Sequence, residues 1–197
     1  MAVDLDREKA RIRQALLAAR RVLPAASVAR LSEAICARIV TAPEFAHAER
    51  VVGYAPIGRE VDPTAALRVA LRRGKVVYLP HSVGGSGVVF RRAGDTAAVG
   101  PGGEPLGEDA AAVLFLVPGV AFDRAGGRLG RGAGAYDRAL ACHPGAWRFG
   151  VGYELQIVSS VPTARWDVRM HGVVTEARIL YAADESRGVV AEKEDQP

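Results

Sequence analysis

Apolar residues in the first forty positions recur at helical spacing. Leu5, Ile12 and Leu16 can share one face of a helix over residues 4–21, whose other positions are largely charged. A second apolar stripe of the same period predicts another helix over residues 27–40. The chain therefore begins with two amphipathic helices, separated by a proline.

Further along, the apolar residues form short runs that proline or glycine ends, a pattern typical of buried strands. The predicted strands cover residues 50–56, 75–80, 88–90, 113–117, 148–153, 173–174 and 179–181. Helix-compatible segments alternate with them, which predicts a single α/β domain over residues 1–197. We expect a largely parallel, twisted sheet flanked by helices in three layers. The polar tail, about residues 184–197, is predicted to be disordered.

The strongest chemical signal follows the run at 113–117. Six glycines and three arginines lie from Gly119 to Gly134, and a helix-compatible pattern resumes at Tyr136. Glycines and a helix N-terminus present backbone N–H groups to an anion, and arginines donate to phosphate. Asp137 fits better opposite a Mg²⁺ ion that bridges phosphates. The pattern indicates a polyphosphate site with its metal; a flexible loop, or one that binds an RNA backbone, is the alternative.

Composition narrows the class of protein. A chain of 197 residues that is 49% apolar can bury one core. No apolar stretch approaches the roughly 20 residues that a membrane span needs, and the charged N-terminus lacks the apolar centre of a signal peptide. We expect a cytoplasmic protein without membrane contact. The net charge of +4 suits an anionic ligand, and Cys36 and Cys142 are expected to be buried thiols.

Residues 118–138, PGVAFDRAGGRLGRGAGAYDR, resemble the signature segment of the 5-formyltetrahydrofolate cyclo-ligase family, also called methenyltetrahydrofolate synthetases. The resemblance implies a Rossmann-like fold of the cyclo-ligase type. It also implies ATP- and Mg²⁺-dependent conversion of 5-formyltetrahydrofolate to 5,10-methenyltetrahydrofolate through a phosphorylated formyl group, with ADP and phosphate released. We expect a monomer whose partners are ATP and a reduced folate, with no nucleic acid.

The same resemblance assigns roles to individual residues. A cationic pair on the first helix and the glycine-rich loop would bind ATP, at Lys9, Arg13, Arg128, Leu129, Gly130, Arg131, Gly132, Ala133, Gly134 and Tyr136. The folate would contact Ala55, Glu60, Arg131, Ala135 and Tyr153. Asp137 and Asp167 would hold Mg²⁺, and Glu60 and Arg131 would be catalytic. Without the resemblance, an exposed loop acid is the preferred interpretation of Glu60, and a core position suits Tyr153 equally well.

Four positions depart from the family pattern. Ala133 stands where relatives commonly have Gly or Lys, and Ala135 where they have Tyr or Phe. Trp166 and His171 replace a common His and a common Asp. We expect Arg131 to supply the charge that Ala133 lacks. If position 171 contributes a metal ligand, affinity for Mg²⁺ should be lower.

Three other hypotheses are open. The protein could be a relative of the same fold that binds ATP or phosphate and acts on a different substrate. Ala133 and Ala135 suggest this hypothesis. A basic RNA-binding module is disfavoured because aromatic residues are only 6% of the chain and no run interleaves them with basic residues. A dinucleotide-binding loop is disfavoured because residues 118–129 separate the glycine motif from its strand.

Overall fold

The computed structural model describes residues 2–84, 87–94 and 103–183. The tail predicted to be disordered, residues 184–197, lies outside the described residues. Two helices open the chain as predicted, and the elements that follow alternate between strand and helix.

Within the described residues, seven strands form one sheet and two more form a hairpin. In chain order the strands are β1 (Arg50–Val52), β2 (Val76–Val83), β3 (Gly87–Arg92), β4 (Val113–Pro118), β5 (Ala121–Phe122), β6 (Arg128–Leu129), β7 (Trp147–Val151), β8 (Gly172–Val174) and β9 (Ile179–Tyr181). The sheet order is β3-β2-β1-β4-β7-β8-β9. Of the seven described strands in this sheet, only the edge strands β3 and β9 pair antiparallel, so the predicted largely parallel sheet is confirmed.

Helices cover both faces of this sheet. They are α1 (Ala2–Arg21), α2 (Ala25–Thr41), α3 (Pro43–His47), α4 (Thr64–Arg72) and α5 (Ala135–Ala141), with a 3-10 turn at Glu154–Gln156. Alternate strand residues point to opposite faces. Val51 therefore shares a core with Ile35 of α2 and Leu67 of α4. Val52 belongs to the core on the other face, with Leu140 of α5. The three-layer prediction is confirmed.

Some elements differ from their predicted extent. β1 ends at Val52, four residues before the predicted end, and beyond it the Tyr54 hydroxyl donates to the Val61 carbonyl at 2.8 Å. After β7 the chain makes a single 3-10 turn at Glu154–Gln156, whose Gln156 side chain donates inward to Gly119 O and Val120 O.

The two cysteines lie in different environments. Cys36 is buried as expected, and burial raises the pKa of its thiol. The same expectation is wrong for Cys142, which is exposed just beyond the end of α5.

The glycine-rich segment is a hairpin followed by a loop. β5 and β6 pair antiparallel across a turn that the Asp123 carboxylate organises. Asp123 accepts hydrogen bonds from the N–H groups of Ala125, Gly127 and Val161 at 2.7–2.9 Å. Only the part after Leu129 remains a loop.

The hairpin fixes α1 and β4 relative to each other. The Phe122 ring lies against three glycines, because a Cβ built at Gly119, Gly150 or Gly152 would come within 2.8 Å of it. On the opposite side, Leu129 and Ala121 form a small core with Ile12 and Leu16 of α1. The predicted apolar face of α1 is therefore confirmed, and it holds the helix over the hairpin.

Candidate active site

A cleft of about 1140 Å³ lies beyond the carboxyl ends of β1, β2 and β4. In open α/β sheets ligands bind at this edge, where the connections after parallel strands meet. The walls of the cleft come from α1, the segment after β1, the loop at residues 130–134 and the segment 164–168. Residues of β2, β3 and α5 and the end of β4 complete the lining, so the cleft draws on stretches that are widely separated in the chain.

The structure brings nearly all of the predicted site residues to this cleft. Its lining includes Lys9, Arg13, Ala55, Glu60, Arg128, Leu129, Gly130, Arg131, Gly132, Ala133, Gly134, Ala135, Tyr136, Asp137 and Asp167. Tyr153 is the exception. Its side chain has no exposed surface and belongs to the core with Ile35 and Val51. The prediction that Tyr153 contacts a ligand directly is therefore corrected to the core position.

One face of α1 contacts both ends of the cleft. Lys9 Nζ lies 2.9 Å from Asp167 Oδ2, and Arg13 Nε donates to the Gly130 carbonyl at 2.9 Å. Arg20 reaches Glu60 Oε1 at 3.4 Å. Arg20 follows Lys9 by eleven positions in the helix, which is a rise of about 16.5 Å. The helix therefore sets the spacing between Asp167 and Glu60.

Glu60 is a buried carboxylate with only 7% of its surface exposed, so the exposed-acid interpretation is wrong. Its Oε2 accepts the Ile57 N–H at 2.9 Å. Its Oε1 accepts from Arg20 and, at 2.9 Å, from Arg131 Nη2. Two arginines and a main-chain amide thus hold one carboxylate at the wall of the cleft.

No motif in the sequence singles out Arg20, which is one of many charged residues of α1. It is 4% exposed and also donates to the Gly119 carbonyl at 3.2 Å. Burial lowers the pKa of Arg20, and the Glu60 charge acts in the opposite direction. A signal was present: Arg20 follows Leu16 by four residues and Arg13 by seven, so all three share the inward face of α1.

Arg128 and Asp137, predicted to contact phosphate and metal separately, are paired with each other. Arg128 Nη2 lies 2.9 Å from the Asp137 carboxylate, and the Arg128 side chain is only 4% exposed. Its guanidinium also lies over the Tyr136 ring, 5.8 Å from the centroid. Burial raises the pKa of the Tyr136 hydroxyl. The buried Arg128 side chain therefore supports the cleft wall through its contacts with Asp137 and Tyr136.

The carboxylates of the cleft suit a Mg²⁺ ion only together with a ligand that supplies further oxygen atoms. Among the residues that the structure describes, no three His, Cys, Asp or Glu side chains form a metal cluster. Mg²⁺ commonly uses one or two carboxylates and completes its shell with phosphate oxygens and water. Asp137 and Asp167 both line the cleft, and both hydrogen bonds to Asp167 go to Oδ2. Two carboxylates with acceptor capacity are therefore compatible with a phosphate-bound metal.

His171 lies outside the lining of the cleft. Its Nδ1 accepts the Arg148 N–H at 3.0 Å, and its ring packs beside Trp147 with 4.7 Å between centroids. Its replacement of a common aspartate therefore does not remove a carboxylate from the cleft of this chain. Trp166 lines the cleft with 68% of its surface exposed.

The loop itself depends on glycine at two positions. Gly132 and Gly134 have φ values of +113° and +64°, in the region that side chains disfavour. Ala133 between them is exposed, whereas the Leu129 side chain is buried against α1. Leu129 can therefore contact a ligand only through its main chain.

Comparison with known proteins agrees with this geometry. Residues 6–176 match the model of the 5-formyltetrahydrofolate cyclo-ligase family. A 5-formyltetrahydrofolate cyclo-ligase of Mycolicibacterium smegmatis is 33% identical over 195 residues, covering 89% of this chain and 97% of the relative. The Escherichia coli enzyme of the same name is 28% identical over 174 residues, covering 81% and 96% of the two chains.

Solved structures lead to the same family. The NMR structure of Aquifex aeolicus 5,10-methenyltetrahydrofolate synthetase is 32% identical and has a TM-score of 0.77, covering 95% of this chain and 99% of that one. A Mycoplasma pneumoniae 5,10-methenyltetrahydrofolate synthetase, 21% identical with a TM-score of 0.71, shows the fold alone. Its match covers 85% of this chain and 98% of that one. Fold, cleft and relatives together establish that the chain belongs to the 5-formyltetrahydrofolate cyclo-ligase family and is an enzyme of the ligase class.

Proposed function

We propose that this protein converts 5-formyltetrahydrofolate to 5,10-methenyltetrahydrofolate while ATP is cleaved to ADP and phosphate. The observation that carries the proposal is the single cleft that joins the Lys9 and Arg13 cations to the buried Glu60 carboxylate. The phosphate chain of a nucleotide needs these cations, and the hydrogen-bond donors of a folate need the carboxylate. Membership of the family supports the choice of folate substrate.

The chemical difficulty is the formyl oxygen, which is a poor leaving group. In the proposed reaction this oxygen attacks the γ-phosphorus of ATP, the bond from phosphorus to the bridging oxygen breaks, and ADP departs. The neighbouring amine of the folate then attacks the activated carbon and releases its proton to water. The original formyl oxygen leaves with the phosphate, and the methenyl bridge remains. The protein must align two substrates and stabilise phosphate charge.

The residues of the cleft divide between these tasks. Lys9, Arg13 and Arg131 would neutralise phosphate oxygens, with main-chain N–H groups of the loop at residues 130–134 beside them. Glu60 would orient the reacting end of the folate, next to Ala55 and Ala135. Asp137 and Asp167 would hold Mg²⁺, which when bound neutralises charge on the transferring phosphoryl group. No covalent nucleophile is needed, so both cysteines are free of a catalytic role.

The assay for this proposal follows near-ultraviolet absorbance of methenyltetrahydrofolate. We expect product from 5-formyltetrahydrofolate only when both ATP and Mg²⁺ are present. Each alone should give no signal above the reaction without enzyme. Formation of methenyltetrahydrofolate in the absence of ATP would contradict the proposal.

A second candidate keeps the cleft and changes the substrate. Small side chains at Ala133 and Ala135 line the cleft, and a wider cleft would admit a ligand other than the folate. ATP binding without any turnover of 5-formyltetrahydrofolate would favour it. An RNA-binding role gains no support, since Arg128 is buried and Arg131 is paired with Glu60.

The setting of the enzyme is also proposed. Within the residues that the structure describes, no helix has the length and apolar character needed to cross a bilayer. We infer a cytoplasmic monomer that acts on small molecules. Sedimentation of the protein at a mass near 20.8 kDa is the expected result, and a mass of twice that value would contradict the monomer.

A further inference from the structure

Glu60 is paired with two arginines that differ sharply in burial. The Arg20 side chain is 5% exposed, and the Arg131 side chain is 46% exposed. Both reach the same oxygen of Glu60, which is itself 8% exposed at the side chain. Breaking an exposed ion pair costs little, whereas removing one partner of a buried pair leaves a buried charge without compensation. Arg131 should therefore separate from Glu60 more easily than Arg20 does.

Arg131 joins two walls of the cleft. Its Nε and Nη2 lie 3.2 and 2.9 Å from Glu60 Oε1, and Nη2 donates to the Ile57 carbonyl at 3.2 Å. Glycines stand on either side of it, at Gly130 and Gly132. The segment after β1 and the glycine loop are thus tied together by one side chain on a loop whose backbone can change conformation.

The other contacts of Glu60 do not depend on Arg131. Arg20 is anchored by the Gly119 carbonyl at the end of β4 as well as by Glu60. The Ile57 N–H holds the second carboxylate oxygen at 2.9 Å. If Arg131 moves away, Glu60 keeps a charged partner and a main-chain donor. Its position at the cleft wall is then preserved, while Oε1, which Arg20 still contacts, can accept a further hydrogen bond.

We propose that the Glu60–Arg131 pair is a latch across the cleft, which nucleotide phosphate opens, and that Arg20 is the positioning residue that keeps Glu60 in place. The inference rests on the proposed function, because it takes phosphate as the competing partner of Arg131 and folate as the ligand of Glu60. Phosphate draws Arg131 away, and Glu60 then accepts from the folate. Nucleotide therefore increases folate affinity, and by reciprocity folate increases nucleotide affinity.

The latch is tested by calorimetric titration of 5-formyltetrahydrofolate with and without Mg²⁺ and the β,γ-imido analogue of ATP. For the natural protein we expect the folate Kd to fall about tenfold when the analogue is present, within the usual range of coupling between sites. Arg131→Ala should give one folate Kd under both conditions. Arg124→Ala is the matched control, because Arg124 is exposed and lies outside the cleft lining.

The outcomes separate the latch from the proposed function. A folate Kd that the analogue does not change in the natural protein contradicts the latch alone. Coupling that persists in Arg131→Ala also overturns it. Folate that fails to bind under any condition overturns the proposed function, and the latch with it.

The role of Arg20 is tested by Arg20→Lys and Arg20→Met. Each should weaken folate binding while leaving the Kd of the ATP analogue within about twofold, and lysine should retain more folate affinity because it keeps the charge. A purely structural role predicts that both ligands weaken together as the melting temperature falls. That result, from the milder Arg20→Lys variant, would remove Arg20 as a positioning residue.

Discussion

At the scale of single residues, three of the carboxylates that line the cleft are paired with cations before any ligand is considered. Glu60 meets Arg20 and Arg131, Asp137 meets Arg128, and Asp167 meets Lys9. The charge that a ligand brings must therefore displace or share existing partners. Substitutions at these sites should affect both chemistry and stability, and the two effects need separate measurements.

Glu60→Gln should impair the use of folate selectively. Glutamine keeps the shape but loses the charge, and a hydrogen bond to a charged group is worth about 1.5–3 kcal/mol. We expect the folate KM to rise about 10- to 100-fold while the nucleotide KM does not rise, because Arg131 loses the charge that competes with phosphate. Steady-state kinetics with each substrate varied in turn measures this. Glu49→Gln, at an exposed surface pair, is the control. An equal rise in both KM values would contradict the assignment.

Asp137→Asn should reduce Mg²⁺-dependent turnover and also stability. The substitution weakens a proposed metal ligand, and it leaves the buried Arg128 without an ionised partner. We expect at least about a tenfold loss of turnover at saturating Mg²⁺, with the free energy of unfolding lowered by about 1–3 kcal/mol. Urea unfolding monitored alongside the assay separates the two effects. Turnover equal to that of Asp109→Asn, a change at an exposed acid, would remove Asp137 from the site.

Residue types at the site could be predicted, but their pairing could not. The number and spacing of the basic residues and glycines are enough to predict an anion-binding site. The Lys9–Asp167 pair joins residues 158 positions apart, and nothing local to either one indicates the other. Arg20 is intermediate, because helical periodicity places it on the inward face while its charge suggests solvent.

At the scale of elements, the hairpin of β5 and β6 holds the site together. Gly150→Ala tests this, because the new Cβ would lie 2.5 Å from the Phe122 ring. Overpacking of this kind costs about 1–3 kcal/mol, and we expect that loss in chemical unfolding together with weaker binding in the cleft. At Gly145 a Cβ meets nothing within 4 Å, so Gly145→Ala should leave both unchanged. Equal behaviour of the two variants would contradict the proposed packing role.

The link between α1 and the segment 164–168 should weaken in acid. Burial raises the pKa of Asp167, but the Ala164 N–H and the Lys9 ammonium outweigh it, and the pKa lies below its usual value. This stabilisation is present above the unfolded-state pKa of about 3.9 and is lost as the pH falls through the lower folded-state pKa. Melting temperatures below about pH 5 should therefore fall more steeply for the natural protein than for Asp167→Asn. Equal slopes of melting temperature against pH in the two proteins would contradict a stabilising Lys9–Asp167 pair.

The elements show why periodicity succeeds for some segments and fails for others. Helices α1 and α2 bury apolar positions at regular spacing, whereas β4 is a continuous apolar run; the predicted bounds of all three lie within a few residues of the observed ones. The hairpin has two residues in each strand and depends on the Asp123 carboxylate for its turn. Such an element carries too few residues for a period, so the segment looked like one continuous loop.

At the scale of the whole molecule, parallel topology assembles the site. The carboxyl ends of β1, β2 and β4 meet at one edge, and α1 crosses that edge with cations at both ends of its inward face. The location of the cleft could be anticipated from the order of strands and helices. Its internal ion pairs could not, since they depend on the mutual placement of segments distant in the chain.

The central claim is that the formyl oxygen is phosphorylated by ATP within this cleft. The most direct measurement uses 5-formyltetrahydrofolate carrying ¹⁸O in the formyl group, with mass spectrometry of the phosphate released during turnover. Because that oxygen departs with the phosphoryl group, each phosphate formed with the methenyl product should carry one ¹⁸O atom. Unlabelled phosphate, released while methenyltetrahydrofolate is formed, would contradict the claim.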